Sequence, residues 1–325
     1  HKATWELNSD YDYVTLRASK SELSEADFMR DWGAVPPFSD SPYISDARIM
    51  EKLQNVNLQP IITTTEEIHT DPMGDKFVYL KAVPLRPDHN IPRLLALDMG
   101  HKNNGFGGVL LGYDGQEKKI VLHQPFSLQP QPGRPIHFEM MWEHFFLPLL
   151  TNYNIQNVFF DRWQSIQIIE KIRARKVVAE AYSVSYDKDF QPLRQTLIGG
   201  GVMTPMLEAQ LKDVKEAPDI AEFLRGKPVA QLAWQTLTVR EVGKKILKPL
   251  NGDDDLFRAF ALGASRLQIP EIQKKYATMG GVRSMTGRAI STVQMFGGAG
   301  GKVASPGQSQ QSNYMRSKTF GSGKK

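Results

Sequence analysis

Arg93-Leu-Leu-Ala-Leu-Asp-Met-Gly100 is a short apolar run that ends in an acid and a glycine. Its length and its punctuation predict a buried strand over residues 94–99. A second run, Phe106-Gly-Gly-Val-Leu-Leu-Gly-Tyr113, follows and closes on the turn pair Asp114-Gly115. Residues 119–123 give a third strand, so the three are spaced like an antiparallel meander. Residues 138–150 are bulky and apolar and predict a helix, bent by Pro148. Residues 157–160 read as another buried strand, ending in Asp161. Ile166, Ile169 and Ile172 then recur at helical spacing, and residues 177–181 suit a further strand. Leu256, Phe257, Phe260, Ala261, Ala264 and Leu267 mark a late helix, preceded by Asp253, Asp254 and Asp255. Three strands, a helix, a strand, a helix, a strand and later helices make an α/β fold, a mixed sheet with helices on its faces.

The flanks read differently. In residues 1–90, Pro36, Pro37, Pro42, Pro60, Pro72 and Pro84 interrupt any long element. This stretch is expected to be an irregular linker with little core of its own, before a domain at 91–271. After Glu271 stand nine Lys/Arg and no acid, so residues 272–325 carry +9 and residues 1–271 carry −4 of the net +5. From Met279 on, Gly, Ser and Gln dominate without a period. Residues 272–325 are therefore expected to form a basic, flexible tail that meets phosphate or an acidic partner, or is simply solvated. The chain has no cysteine, which excludes disulfides, zinc–thiolate sites and thiol nucleophiles and fits a reducing compartment. It has no apolar run of about 18 residues, so no membrane helix is expected. Its first residues, His-Lys-Ala-Thr-Trp-Glu, have neither an initiator Met nor an apolar signal core, and the chain reads as a piece of a longer protein.

Three acidic positions share one property: each ends a strand or starts a helix. Asp98 ends the first strand, Asp161 ends the fourth, and Asp253–Asp255 open the late helix. In an RNase H-like sheet the first and fourth strands are neighbours and the late helix packs across their ends, so the acids converge. Such a cluster suits metal-assisted phosphodiester hydrolysis, in which two Mg²⁺ ions about 3.5–4 Å apart activate water and stabilise the leaving oxygen. Magnesium takes hard oxygen ligands and keeps part of its water shell, so a few carboxylates suffice. The plainer role for Asp98 is a turn, for Asp161 a helix cap, and for Asp253–Asp255 a favourable charge on a helix dipole. Only the set of three in this strand order favours catalysis. His101 lies near enough to Asp98 in sequence to reach a metal or a water, although a surface histidine is the plainer reading. Lys102, Lys244, Lys245 and Lys248 are candidates for phosphate contacts, which position DNA without reading it, or are simply solvated. Gly105-Phe-Gly-Gly108 is not a Walker A loop, because no Gly-Lys-Ser/Thr follows, and Gly321-Ser-Gly-Lys-Lys325 has no strand before it.

Asn251-Gly-Asp-Asp-Asp-Leu-Phe-Arg-Ala-Phe-Ala-Leu262 resembles the third acidic motif of viral large terminases. Val158-Phe-Phe-Asp-Arg-Trp-Gln-Ser165 resembles their second, and Leu95-Ala-Leu-Asp-Met-Gly-His-Lys-Asn-Asn-Gly-Phe106 their first. Upstream, Ala3-Thr-Trp-Glu6 and Met29-Arg-Asp-Trp-Gly-Ala-Val-Pro-Pro37 are similar to the stretch joining that family's ATPase to its nuclease. No single motif is specific; five in order are more so. The resemblance implies the nuclease part of a tailed-phage packaging motor, cutting concatemeric double-stranded DNA with two Mg²⁺ or Mn²⁺ ions. It implies Asp98, Asp161 and Asp254 as catalytic ligands, with Asp255 a further metal ligand and Asp253 accessory. The run of three leaves their register open. It also implies as partners the ATPase domain of the same protein, the portal or procapsid and a small terminase subunit, in the host cytoplasm and away from membranes. Many relatives carry another acid after the first motif, where this chain has Asn103 and Asn104. The Walker segments of the motor are absent.

Three rivals follow from the same residues. A junction resolvase or transposase core shares the sheet and would prefer branched DNA. A sugar-kinase or actin-like fold also starts with a strand, Asp-x-Gly and a hairpin, but needs a second phosphate loop that is not evident. A non-catalytic module docking DNA and portal would use its acids only as caps.

Overall fold

The computed structural model of the protein describes residues 41–100, 105–130, 133–161, 166–249 and 252–279. The chain divides into two units, residues 1–289 and 290–325, and every described residue lies in the first. The stretches 1–40 and 280–325, and with them the upstream motifs and most of the basic tail, lie outside the described residues. So do His101, Lys102, Asn103, Asn104 and residues 162–165.

The central sheet is built as the apolar runs require. Strands β4 (Asp88–Met99), β5 (Phe106–Asp114) and β6 (Lys119–Leu128) pair antiparallel, as the meander predicts. Strand β7 (Tyr153–Asp161) returns parallel to β4, and β8 (Val178–Tyr182) parallel to β7. A two-residue strand, β9 (Val202–Met203), pairs parallel with β6, so the sheet order is β8-β7-β4-β5-β6-β9. β4 is buried without a break from Pro92 to Leu97. Continuous burial means that both faces are covered, because successive side chains point to opposite sides.

Two cores result. Leu94, Ala96, Val109, Leu111 and Phe159 face one side, where helix α9 (Asp255–Leu267) crosses the strands. Helices α1 (Ala47–Lys52), α5 (Gln191–Ile198) and α8 (Pro228–Thr238) add Met50, Leu193 and Leu232 to that core. Leu95, Leu97, Phe106, Leu110, Val158 and Phe160 face the other side. There they meet α2 (Phe138–Met141), a π-helical turn (Trp142–Phe146) and α3 (Leu147–Asn152), together with α4 (Ile166–Arg173). The segment predicted as one helix bent at Pro148 is thus widened one turn earlier. Proline offers no N–H and crowds the carbonyl four residues back, and a π-turn there relieves the conflict.

Two further expectations change. The stretch before residue 91 was expected to hold little core, yet its described part contributes side chains to both cores. Tyr43, Ile44, Met50 and Leu53 enter the α9-side core, and the hairpin of β2 (Ile62–Thr70) and β3 (Lys76–Pro84) puts Ile62, Val78, Leu80 and Ala82 into the other. Its prolines fall at strand ends and turns, so they do not prevent pairing. Residues 272–279, expected to open the flexible tail, belong instead to helix α10 (Pro270–Met279). Buried Tyr276 anchors this helix, its hydroxyl donating within 3.0 Å of the Arg93 carbonyl and 3.1 Å of Asn157 Oδ1. A charge count cannot register one buried aromatic in a basic segment.

The remaining elements are short: α6 (Leu211–Glu216), α7 (Ile220–Leu224), and a small sheet in which β1 (Ser41–Pro42) pairs with β10 (Arg240–Val242) and β10 with β11 (Lys245–Leu247). Among the described residues, no helix is long and apolar enough to cross a membrane.

Candidate active site

Strand register brings the first two acids together. Asp98 on β4 is the direct partner of Asp161 on parallel β7 and of Gly107 on antiparallel β5. Neighbouring strands lie about 4.8 Å apart, so the two carboxylates start from adjacent backbones. By alternation Asp98 shares its face with Leu94 and Ala96, and Asp161 shares its face with Phe159. Both therefore point to the side on which α9 lies.

Glycines bring in the third. A Cβ placed on Gly107 would stand 2.3 Å from the backbone carbon of Asp255, and one on Gly263 only 2.6 Å from Leu111 Cδ1 and 2.9 Å from Ala96 Cβ. Helix α9 thus rests directly on β4 and β5, with its first turn against the strand position opposite Asp98. Gln235 of α8 helps fix that turn, its Oε1 accepting from the Phe257 amide at 3.0 Å. Further along, buried Asp189 accepts from Ser265 Oγ at 2.5 Å and from Arg266 at 3.0 Å, pinning the other end of the helix.

The three consecutive acids have different surroundings. Asp254 is fully buried and turned back along its own helix, with Arg258 Nε donating to its Oδ2 at 2.6 Å. Its Oδ1 is buried with no hydrogen-bond partner and lies 3.7 Å from Lys248 Nζ. Asp255 points to the sheet end beside Gln129, and a Cβ on Gly105 would meet its Oδ2 at 2.6 Å and Gln129 Nε2 at 2.5 Å. That Oδ2 is also buried without a hydrogen-bond partner. Burial first, and then the charges of Asp98 and Asp253, push the Asp255 carboxyl up to about 8. Asp253 is raised as well, chiefly by burial, with Lys248 working against the shift and Asp254 adding to it.

Arg258 stands among these acids. Its Nη1 is 3.9 Å from Asp161 Oδ2 while its Nε holds Asp254. Burial disfavours its charge, yet Asp254, Asp98 and Asp161 more than offset this and hold the guanidinium above its ordinary pKa. Sequence reading passed over this residue. The spacing of four between Asp254 and Arg258 on a helix was the available signal. Of the candidate DNA contacts, Lys248 joins the acids, while Lys244 is exposed and pairs with Asp187, Nζ to Oδ1 at 3.2 Å. Lys245 is exposed on β11.

Among the described residues, no three His, Asp or Glu side chains are already closed around a common point. The donor set nevertheless fits a hard divalent cation. Asp255 Oδ2 is a buried carboxylate oxygen with no hydrogen-bond partner, an arrangement costly unless a positive charge meets it, and Asp254 Oδ1, likewise without a hydrogen bond, faces Lys248 Nζ at 3.7 Å.

A meander of three antiparallel strands is followed by a strand parallel to the first, with acids at the ends of both. The fold is RNase H-like. This RNase H-like chain is similar to the large terminase nuclease from thermophilic phage G20c with bound magnesium, at 15% identity and TM-score 0.42 over 68% of this chain and 97% of that one. It is similar to the P22 large terminase nuclease domain at 10% identity and TM-score 0.36, over 70% and 93% of the two chains. It is also similar to the large terminase from thermophilic bacteriophage D6E at 11% identity and TM-score 0.41, covering 79% of this chain and 53% of that one, about half its length. No family model matches the chain. No curated protein matches it.

Proposed function

We propose that the RNase H-like sheet of residues 91–271 is a metal-dependent endonuclease for double-stranded DNA, the cutting part of a large terminase. The observation that carries this reading is the juxtaposition of Asp98 and Asp161 at registered ends of neighbouring parallel strands, with the first turn of α9 set against Gly107 beside them. Asp98, Asp161 and Asp255 would hold Mg²⁺ or Mn²⁺, with Asp254 as a further ligand when released from Arg258. Asp255 is preferred to Asp254 as the principal third ligand, because Asp254 is already ion-paired along its helix. Bound ions supply Lewis-acid activation of water and of the scissile phosphate.

The chain's own residues do the rest. The sheet fixes two carboxylates without loop entropy, and α9 delivers the third on a rigid element. Lys248, exposed and 3.7 Å from Asp254, would offer its charge to a backbone phosphate, and such contacts position DNA without selecting sequence. The terminase context rests on the motifs at residues 95–106, 158–165 and 251–262 and on the upstream stretches. With it come the proposed partners: the ATPase domain of a longer protein, portal or procapsid, and a small subunit for site selection, all in the host cytoplasm.

The test is incubation of supercoiled plasmid with Mg²⁺ or Mn²⁺, with and without EDTA, beside Asp98→Ala and Asp161→Ala. Metal-dependent nicking and linearisation lost in both variants is the expected result. A folded wild type that cuts with neither ion would remove the nuclease reading and leave a DNA- or portal-docking module. Preference for branched junctions would move the protein to the resolvase type.

A further inference from the structure

Arg258 is placed unlike a surface ion-pair partner. It sits one turn into α9, its side chain is 19% exposed, and the carboxylate it holds at 2.6 Å is wholly buried. The other arm of its guanidinium reaches toward Asp161 on β7, at 3.9 Å, so one side chain spans the helix and the sheet. A guanidinium is charged at any ordinary pH and its fork matches carboxylates. It thus offers a permanent positive charge to two of the acids proposed to hold divalent ions. An ion bound through Asp254 or Asp161 would therefore share its carboxylate with the Arg258 charge, at Asp254 through the oxygen opposite the one Arg258 holds, or displace that charge.

We propose that Arg258 is a resident counter-cation of the acid cluster, keeping the metal-free domain folded and competing with divalent ions for Asp254 and Asp161. The inference rests on the reading of these acids as metal ligands. It separates this site from a bare carboxylate cluster, which depends on metal to relieve its own repulsion. In this protein relief is built into the helix, and the ions are held correspondingly more weakly.

Calorimetric titration of the full chain with Mn²⁺, together with melting in EDTA and in Mn²⁺, tests this on the wild type, Arg258→Gln and Arg258→Lys. Arg258→Gln is expected to melt lower in EDTA, to gain more from Mn²⁺ than the wild type, and to bind Mn²⁺ about tenfold tighter, roughly 1.4 kcal/mol. Arg258→Lys, which keeps the charge, should stay near the wild type in affinity. If Arg258→Gln does not fold without metal, Asp254→Asn combined with Arg258→Gln is compared with Asp254→Asn alone, and the double variant should again bind tighter. A lower melting point with Mn²⁺ affinity unchanged or weakened would overturn the competition and leave the ligand set standing. Absence of Mn²⁺ binding in every variant, the wild type included, would overturn both this inference and the metal-ligand reading on which it rests.

Discussion

Asp255 carries the cost of the site. Its carboxyl is buried, one oxygen has no hydrogen-bond partner, and Asp98 and Asp253 repel its charge. An amide in its place keeps the shape and removes the repulsion. Asp255→Asn should therefore melt in EDTA at the wild-type temperature or above, while metal-dependent nicking falls by at least about 100-fold. A large loss of stability in EDTA would mean that Asp255 is a structural charge and not a metal ligand. Asp254 contrasts with it, because Arg258 compensates its burial within the same helix. Truncating one member of such a buried pair leaves the other uncompensated, so the two neighbouring acids are expected to respond in opposite directions.

Helix α9 is the element on which the site depends. Its approach to the sheet is set by the missing side chains at Gly107 and Gly263, since a Cβ at either would overlap its neighbours. Gly107→Ala meets backbone rather than a flexible side-chain end, so the first turn of α9 must move. A cost of about 1–3 kcal/mol in denaturant unfolding is expected from the overpacking. A displacement of the order of an ångström at Asp255 should lower cleavage about 100-fold. Cleavage at the wild-type rate in a destabilised Gly107→Ala would show that the helix start does not position the chemistry. The other face has a matching device in the π-turn Trp142–Phe146, which turns Phe145 onto Phe106 and Phe126 and packs Phe146 against Phe145. Each buried aromatic of this kind contributes about 1.5–3 kcal/mol, so the sheet that carries Asp98 and Asp161 is held firmly from behind.

Across the molecule, covering both faces of the sheet also buries groups that would rather be solvated. His123 on β6 is one: burial first, and the charge of Arg93 second, hold its pKa well below 6.5, and its Nε2 has no hydrogen-bond partner. The folded chain keeps this imidazole neutral while the unfolded chain protonates it below pH 6.5. Protons then bind the unfolded state in excess, and stability is lost as pH falls below that value. His123→Leu should flatten this limb of the stability curve below pH 6.5, measured by urea unfolding at each pH. An unchanged slope would mean that other groups set the acid sensitivity. Charge is unevenly distributed along the chain too: the acidic body, −4 over residues 1–271, carries the site, and +9 follows it.

The strands, the late helix and the acids at their ends were legible without the structure. Those signals are local: apolar runs of strand length, turn residues at their limits, and a 3.6-residue period from Leu256 to Leu267. Asp98 and Asp161 were legible as a pair because strand order predicts strand neighbours, and the register of Asp98 with Asp161 agrees. The run Asp253–Asp255 could not be resolved in the same way. Consecutive residues at a helix start differ by about 100° in direction, and only the packing of α9 on Gly107 decides which one meets the sheet. Arg258, the hairpin at residues 62–84 that feeds Ile62, Val78, Leu80 and Ala82 into the core, and Tyr276 in a basic segment were hidden for the same reason. Each owes its role to a partner distant in sequence or to burial, and both are properties of the folded chain.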